Sequence, residues 1–148
     1  MTDAISRDEF VERLKDLCLK SGITGLPRRS RDRHFLLKSV VLTLSPRGNY
    51  AEREIDDKLA YWLADIGRSI DLGLVSLRRS LVDEGFLLRE LGGSSYRVGV
   101  GGPHEKLFDT AVESVDVYRV IGKGMKKIQD KRREYLNKNP HEPDQSPR

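Results

Sequence analysis

Apolar residues recur along most of this chain at intervals of three and four, the period of a helix face. They give way to short mixed runs only around residues 86–100. Ser6-Arg7-Asp8-Glu9 has the form of a capping box, in which Ser6 caps the third helical N–H and Glu9 reaches back. Phe10, Leu14, Leu17 and Cys18 then share a face, and Gly22 supplies a stop, so a first helix is expected from Arg7 to Ser21. A second, capped by Ser30, is expected to run to about Leu44. Its apolar residues Phe35, Leu36, Val40, Val41 and Leu44 cover a wide arc, which predicts central burial. Ser45-Pro46-Arg47-Gly48-Asn49 is turn chemistry.

A third helix should start near Ala51, with Ile55, Leu59, Trp62 and Leu63 inward, and break at Asp65 to Ser69 around Gly67. Ile70, Leu74, Leu77 and Leu81 then define a fourth, from about Asp71 to Glu84, which leaves Ser76, Arg79 and Asp83 on the opposite side. Gly85 should end it in a left-handed conformation. Phe86 to Leu91 and Ser95 to Val100 read as two strands around a Gly-Gly turn. Gly99, Gly101, Gly102 and Pro103 read as a hinge. The stretch from Pro103 to about Leu136 is ambiguous over 113–121. Its β-branched residues argue for a strand, while Phe108, Ala111, Val115 and Tyr118 argue for a helix. Length and a proline start favour the helix, with interruptions at Gly122 and Gly124. Asn137 to Arg148 has three prolines and no apolar residue, the composition of a disordered tail.

Helix, helix, hairpin is the order of a winged helix. The fold expected is therefore mainly α with a small β-hairpin: a winged helix-turn-helix with extra N-terminal and C-terminal helices. Its parts are an N-terminal helix over residues 1–25, the winged helix over 26–101, a helical extension over 102–137 and a tail over 138–148.

Charge changes this picture only slightly. Lys and Arg number 27 against 23 Asp and Glu, a net +4 that permits a polyanionic partner without requiring one. One cysteine, Cys18, excludes an intrachain disulfide and a multi-cysteine metal site, and its leucine neighbours suggest a core thiol. No apolar run approaches the ~20 residues that span a bilayer, and a secretory leader is missing, so no membrane association and a cytoplasmic location are expected.

In a winged helix the fourth helix would lie in the DNA major groove and the hairpin beside the backbone. Ser76, Arg79, Arg78 and Ser80 would then face the bases, and Arg89 and Arg97 the phosphates. Arg28, Arg29, Arg31 and Arg33, with His34 and Lys38, form the densest basic run and suit a phosphate-contacting arm. Cations at a helix start oppose the macrodipole, so they are not explained by helix stability. Lys123, Lys126, Lys127, Lys131, Arg132 and Arg133 form a second basic region, beside a partial apolar stripe of Met125, Ile128, Tyr135 and Leu136. It suits a phosphate clamp, a membrane-surface helix or a partner helix. Catalytic patterns are missing: His34, His104 and His141 are scattered, no metal spacing, P-loop or nucleophile elbow occurs, and Glu52 and Glu54 do not share a helical face. No cofactor is implied, and Trp62 reads as core.

Gly48, Tyr50, Glu52, Glu54 and Ile55, followed by Leu77, Arg78, Arg79, Leu81, Val82, Asp83 and Gly85, resemble the motifs of a small winged-helix family. That family is catalogued as domain of unknown function 2087, often found behind an ArsR-like bacterial regulator head. Leu87, Arg89, Tyr96 and Leu26-Pro27 also match, so the resemblance covers about Leu26 to Val98. Two departures stand out: the linker from Ile55 to Leu77 is longer, and Leu72-Gly73-Leu74-Val75 replaces an acidic-histidine step. The resemblance implies a transcription-associated winged helix and supplies neither an activity nor a ligand. The functional expectation is a non-enzymatic protein that binds double-stranded DNA. It would form a homodimer through its terminal helices, since a palindromic site rewards twofold symmetry. The alternative is a protein-binding adaptor on the same fold.

Overall fold

The wide apolar arc of the second helix sets the architecture. In a computed structural model, which describes residues 4–19, 23–90, 92, 95–99 and 106–138, seven consecutive residues from Phe35 to Val41 are buried. The elements run α1 (Arg7–Leu19), β1 (Ile23–Thr24), α2 (Ser30–Val41), β2 (Tyr50–Ala51) and α3 (Glu52–Asp65). They continue through β3 (Ile70–Asp71), α4 (Leu74–Asp83), β4 (Leu87–Arg89) and β5 (Ser95–Val98) to a 3-10 turn (Thr110–Ser114) and α5 (Val117–Lys138). Each apolar side chain placed fully inside contributes roughly 1.5–3 kcal/mol, so α2 alone anchors much of the core.

The hairpin β4–β5 pairs antiparallel, with Leu87 opposite Val98 and Arg89 opposite Tyr96. Tyr50 and Ala51 add a third strand against Tyr96 and Ser95, giving the order β2-β5-β4. The strand that precedes α3 thus closes onto the wing, and α2, α3 and α4 with this sheet form a winged-helix arrangement. Ile23–Thr24 also pairs in parallel with Ile70–Asp71. Neither β2 nor the β1–β3 pair was expected, because two residues are too few to show an alternation.

Several boundaries shift. Helix α1 ends at Leu19, and its expected stop at Ser21-Gly22 lies outside the described residues. Ser6 does cap α1, accepting from the Glu9 N–H at 3.1 Å, but the Glu9 carboxylate goes to Arg31 instead of back to the cap. Helix α2 is preceded by Arg29 without a side-chain cap, so Ser30 opens the helix and does not cap it. The helix stops at Val41. Helix α4 begins at Leu74, three residues later than expected, because Ile70 and Asp71 are committed to β3.

The C-terminal half differs more. Residues 110–114 are a 3-10 turn capped by Asp109, whose carboxylate accepts from the Ala111 N–H at 2.9 Å, and the α-helix begins only at Val117. From there it is unbroken to Lys138, so Gly122 and Gly124 do not interrupt it. At Gly124 a side chain would run into Leu19 of α1, so glycine there allows a close helix–helix approach. Gly99 is not a hinge residue: it is buried, its N–H donates to the Phe86 carbonyl at 2.9 Å, and a Cβ there would strike the Gly85 carbonyl. Gly101, Gly102, Pro103 and the tail from residue 139 lie outside the described residues.

The terminal elements share one core with the winged helix. Phe10 stacks with Phe35 (ring centroids 6.1 Å apart) and meets Phe108 edge-on (5.8 Å). Leu14, Leu17, Cys18, Val112, Val115 and Ile121 are all buried with them. The two apolar stripes considered for a dimer interface therefore cover each other within one chain. No described helix is long and apolar enough to cross a membrane.

Candidate nucleic-acid interface

Helix α4 is held by Leu77 and Leu81, both fully buried, and is closed by a Schellman turn. The Phe86 N–H reaches the Leu81 carbonyl at 2.8 Å and the Gly85 N–H the Val82 carbonyl at 3.1 Å, with Gly85 at φ 82°. This is the left-handed glycine expected from the sequence. The turn aims Phe86 into the core and starts the wing directly beside the helix.

The opposite face of α4 presents Val75, Ser76, Arg79 and Asp83 to solvent. Arg79 and Arg89, one from the helix and one from the wing, line a shared cleft of about 250 Å³ with Val75, Asp83 and Tyr96. The Arg89 guanidinium lies over the Tyr96 ring, 5.9 Å from its centroid, which orients it across the sheet. Among the described residues no ion pair or hydrogen bond engages the Arg79 side chain. Arg97 is exposed and reaches Glu90 at 3.0 Å, a surface pair worth little and easily exchanged for a phosphate.

The other sequence candidates divide. Arg78 is turned inward to Asp56 of α3, with its side chain 20% exposed, and ties α4 to α3. Arg33 is likewise a clasp: Nε donates to Glu84 at 2.8 Å, and Nη1 donates to the carbonyls of Arg28 and Pro27. His34 meets the same carboxylate at 3.0 Å and packs on Phe86. Burial pushes the Glu84 carboxyl up, but the Arg33 hydrogen bonds and the charges of Arg33 and His34 outweigh it, and the net effect lies below the usual carboxylate value.

Lys38 leaves the candidate set. Its side chain is fully buried, paired with Glu113 and set over the Phe108 ring, so no phosphate can approach it. Arg31 is paired with Glu9. Arg28 and Arg29 remain exposed. The run is partly balanced by Asp32, whose carboxyl is lowered by its hydrogen bond to Arg13, against burial, and by the charges of Arg29 and Arg31. Spacing along the chain gave no sign of these pairings, since the partners lie 19 to 75 residues apart.

Elsewhere the structure offers little chemistry. No cluster of His, Cys, Asp or Glu able to hold a metal occurs among the described residues. Cys18 is buried, and burial pushes its thiol up to about 12, which makes it a poor nucleophile. Trp62 is core, as expected: its indole N–H donates to Ser39 Oγ at 3.0 Å.

Fold and site together define a small winged-helix protein with terminal helices packed onto it. Residues 22–98 match the family described as "Uncharacterized protein conserved in bacteria (DUF2087)", which is just over half of the chain, and the chain belongs to that family. No curated protein and no solved structure matches it.

The two motif stretches can now be given physical roles. Gly48 lies against the Tyr50 ring, where a Cβ would come within 2.8 Å, and the Tyr50 hydroxyl accepts from the Ser45 N–H. Glu52 accepts from the Tyr96 hydroxyl, Glu54 from the Ala51 N–H at the start of α3, and Ile55 is core. In the second stretch Leu77, Leu81 and Gly85 build α4, and Arg78 ties it down. Arg79 and Asp83 are the two residues of these motifs that are exposed and have no structural partner among the described residues.

Proposed function

We propose that this protein is a non-enzymatic, transcription-associated DNA-binding module that reads duplex DNA through α4 and the β4–β5 wing. The observation that carries this reading is Arg79: it stands exposed on the outer face of α4, with no ion pair or hydrogen bond among the described residues, in a cleft it shares with the wing residue Arg89. A helix fits the major groove, where a guanidinium donates two hydrogen bonds to guanine. Arg89, on the Tyr96 face of the wing, would meet a phosphate beside the cleft, and Arg97, on the other face, a phosphate across the wing. Arg28 and Arg29 extend the positive surface. Val75, also exposed in the cleft and 59% accessible, together with Asp83, favours the second reading, an adaptor that holds a protein partner on the same face.

A twofold dimer remains part of the proposal, with a changed surface. Helix α1 and the 3-10 turn are covered within the chain, which leaves the distal part of α5, where Ile128 and Leu136 are exposed, as the surface for a second copy.

The test is fluorescence anisotropy with duplexes selected from a random pool. Arg79→Ala should weaken binding to the selected site by roughly 1–3 kcal/mol while leaving non-specific duplex binding nearly unchanged. A parent protein that selects no site, or an Arg79→Ala variant with parental affinity for the selected site, would remove the reading.

A further inference from the structure

Helix α5 carries eight basic residues against two acidic ones, a larger excess than the +4 of the whole chain. At 100° per residue, Arg119, Lys123, Lys126, Lys127, Lys131 and Arg133 fall within one arc of roughly 160°, which also holds the helix's two acids, Asp130 and Glu134, and stays net cationic. All six are exposed. Among the described residues one ion pair involves them, Arg133 with Asp130 at 3.9 Å, and both of those side chains are exposed. Arg119, Lys123, Lys127 and Lys131 follow one another at i,i+4, a like-charge spacing that opposes helix stability, and Asp130 and Glu134 offset it only in the C-terminal half.

The opposite side of the same helix is already used. Val117 and Ile121 are buried in the core, Gly124 lies against Leu19, and Met125 meets Arg68. From Val117 to Met125 the apolar side therefore faces the body of the protein and the cationic side faces solvent; beyond it Ile128, Tyr135 and Leu136 are exposed. An interfacial membrane helix needs the reverse freedom, because its apolar face must enter the lipid. A net cationic, solvent-facing surface fits a polyanion whose charges lie on a regular, water-exposed backbone. The arc extends over roughly 20 Å of helix, and duplex DNA offers one charge per ~1.7 Å of axis.

We infer that the outer face of α5 is a second nucleic-acid surface: a sequence-independent contact for the phosphate backbone of duplex DNA, separate from the α4–wing cleft. The choice of DNA as the polyanion rests on the reading of α4 above. The surface itself does not.

The experiment compares full-length parent with the quadruple variant Lys123→Gln, Lys126→Gln, Lys127→Gln, Lys131→Gln, and with Arg79→Ala, on one non-specific duplex across a salt series. Glutamine keeps helix propensity, and circular dichroism checks that α5 persists. Each phosphate contact contributes about 0.9 to the log–log slope of affinity against salt, so the quadruple variant should lose roughly 2–4 units of slope and at least about tenfold in affinity at low salt. Arg79→Ala should change the slope by about one unit or less. A quadruple variant with the parent's affinity and slope overturns the α5 surface and leaves the α4 reading standing. Loss in the quadruple variant, with Arg79→Ala indifferent even on a selected site, supports α5 and sinks the α4 reading. A parent that binds no duplex overturns both. Duplex binding that is unchanged in the quadruple variant, with sedimentation on phosphatidylserine–phosphatidylcholine vesicles abolished, assigns the face to anionic membranes and also overturns the proposal.

Discussion

Lys38 shows how far a residue's chemistry depends on where the fold places it. In the sequence it belongs to the basic run. In the structure its four-carbon stem is core and its ammonium sits beside Glu113 and Phe108. Removing one partner of an ion pair is costly where it strands the other charge in the interior, but the Glu113 side chain is half exposed and stays solvated. Lys38→Met should therefore unfold within about 1 kcal/mol of the parent in urea and bind DNA with parental affinity. A tenfold loss of DNA affinity in a folded variant would return Lys38 to the interface. The glycines make the same point with opposite signs. Gly85 needs φ 82°, so Gly85→Val should cost on the order of 1–2 kcal/mol or more. Gly122 sits in mid-helix with nothing within 4 Å of its missing Cβ, so Gly122→Ala should stabilise by roughly 0.5–1 kcal/mol. Calorimetry should find the first melting several degrees lower and the second slightly higher. Equal melting points would mean the end of α4 is misplaced.

At the scale of elements, what the sequence revealed follows from period. The faces of α1, α3 and α4 were legible because Phe10, Leu14, Ile55, Leu59, Leu77 and Leu81 repeat at helical spacing and are all buried. The wing was legible from Gly85 and the turn glycines. The strands β1, β2 and β3 were not, because two residues carry no period and their pairing is set by tertiary packing. The continuity of α5 is not legible in the sequence, where Gly122 and Gly124 suggest breaks, whereas in the fold Gly124 lies against Leu19. Of the candidate site, Arg79, Arg89 and Ser76 stayed on the surface. Lys38 is buried, and Arg33 and Arg78 are partly exposed but engaged, each by a carboxylate that only the fold brings near. These clasps give a pH prediction. Glu84 and Asp32 titrate below their ordinary values of 4.5 and 3.8 in the folded chain. Their contribution is therefore fully present at neutral pH and is lost as pH falls below those values through the folded ones. Urea midpoints should hold steady down to about pH 5 and then drop, and Glu84→Gln should flatten that decline. A stability that rises on acidification would contradict the clasps.

For the whole molecule, one core joins the winged helix to the terminal helices. The α4–wing cleft holds the exposed Arg79 and the Tyr96-oriented Arg89, and α5 turns its cations to solvent on another element. The central claim is that the first of these surfaces meets DNA. An amide-shift titration of the isotope-labelled protein with a selected duplex tests it directly. The account predicts saturable shifts concentrated at Ser76, Arg79, Arg89 and Arg97, with Lys38 and Trp62 little affected. A saturating titration that leaves α4 and the wing unshifted would contradict it.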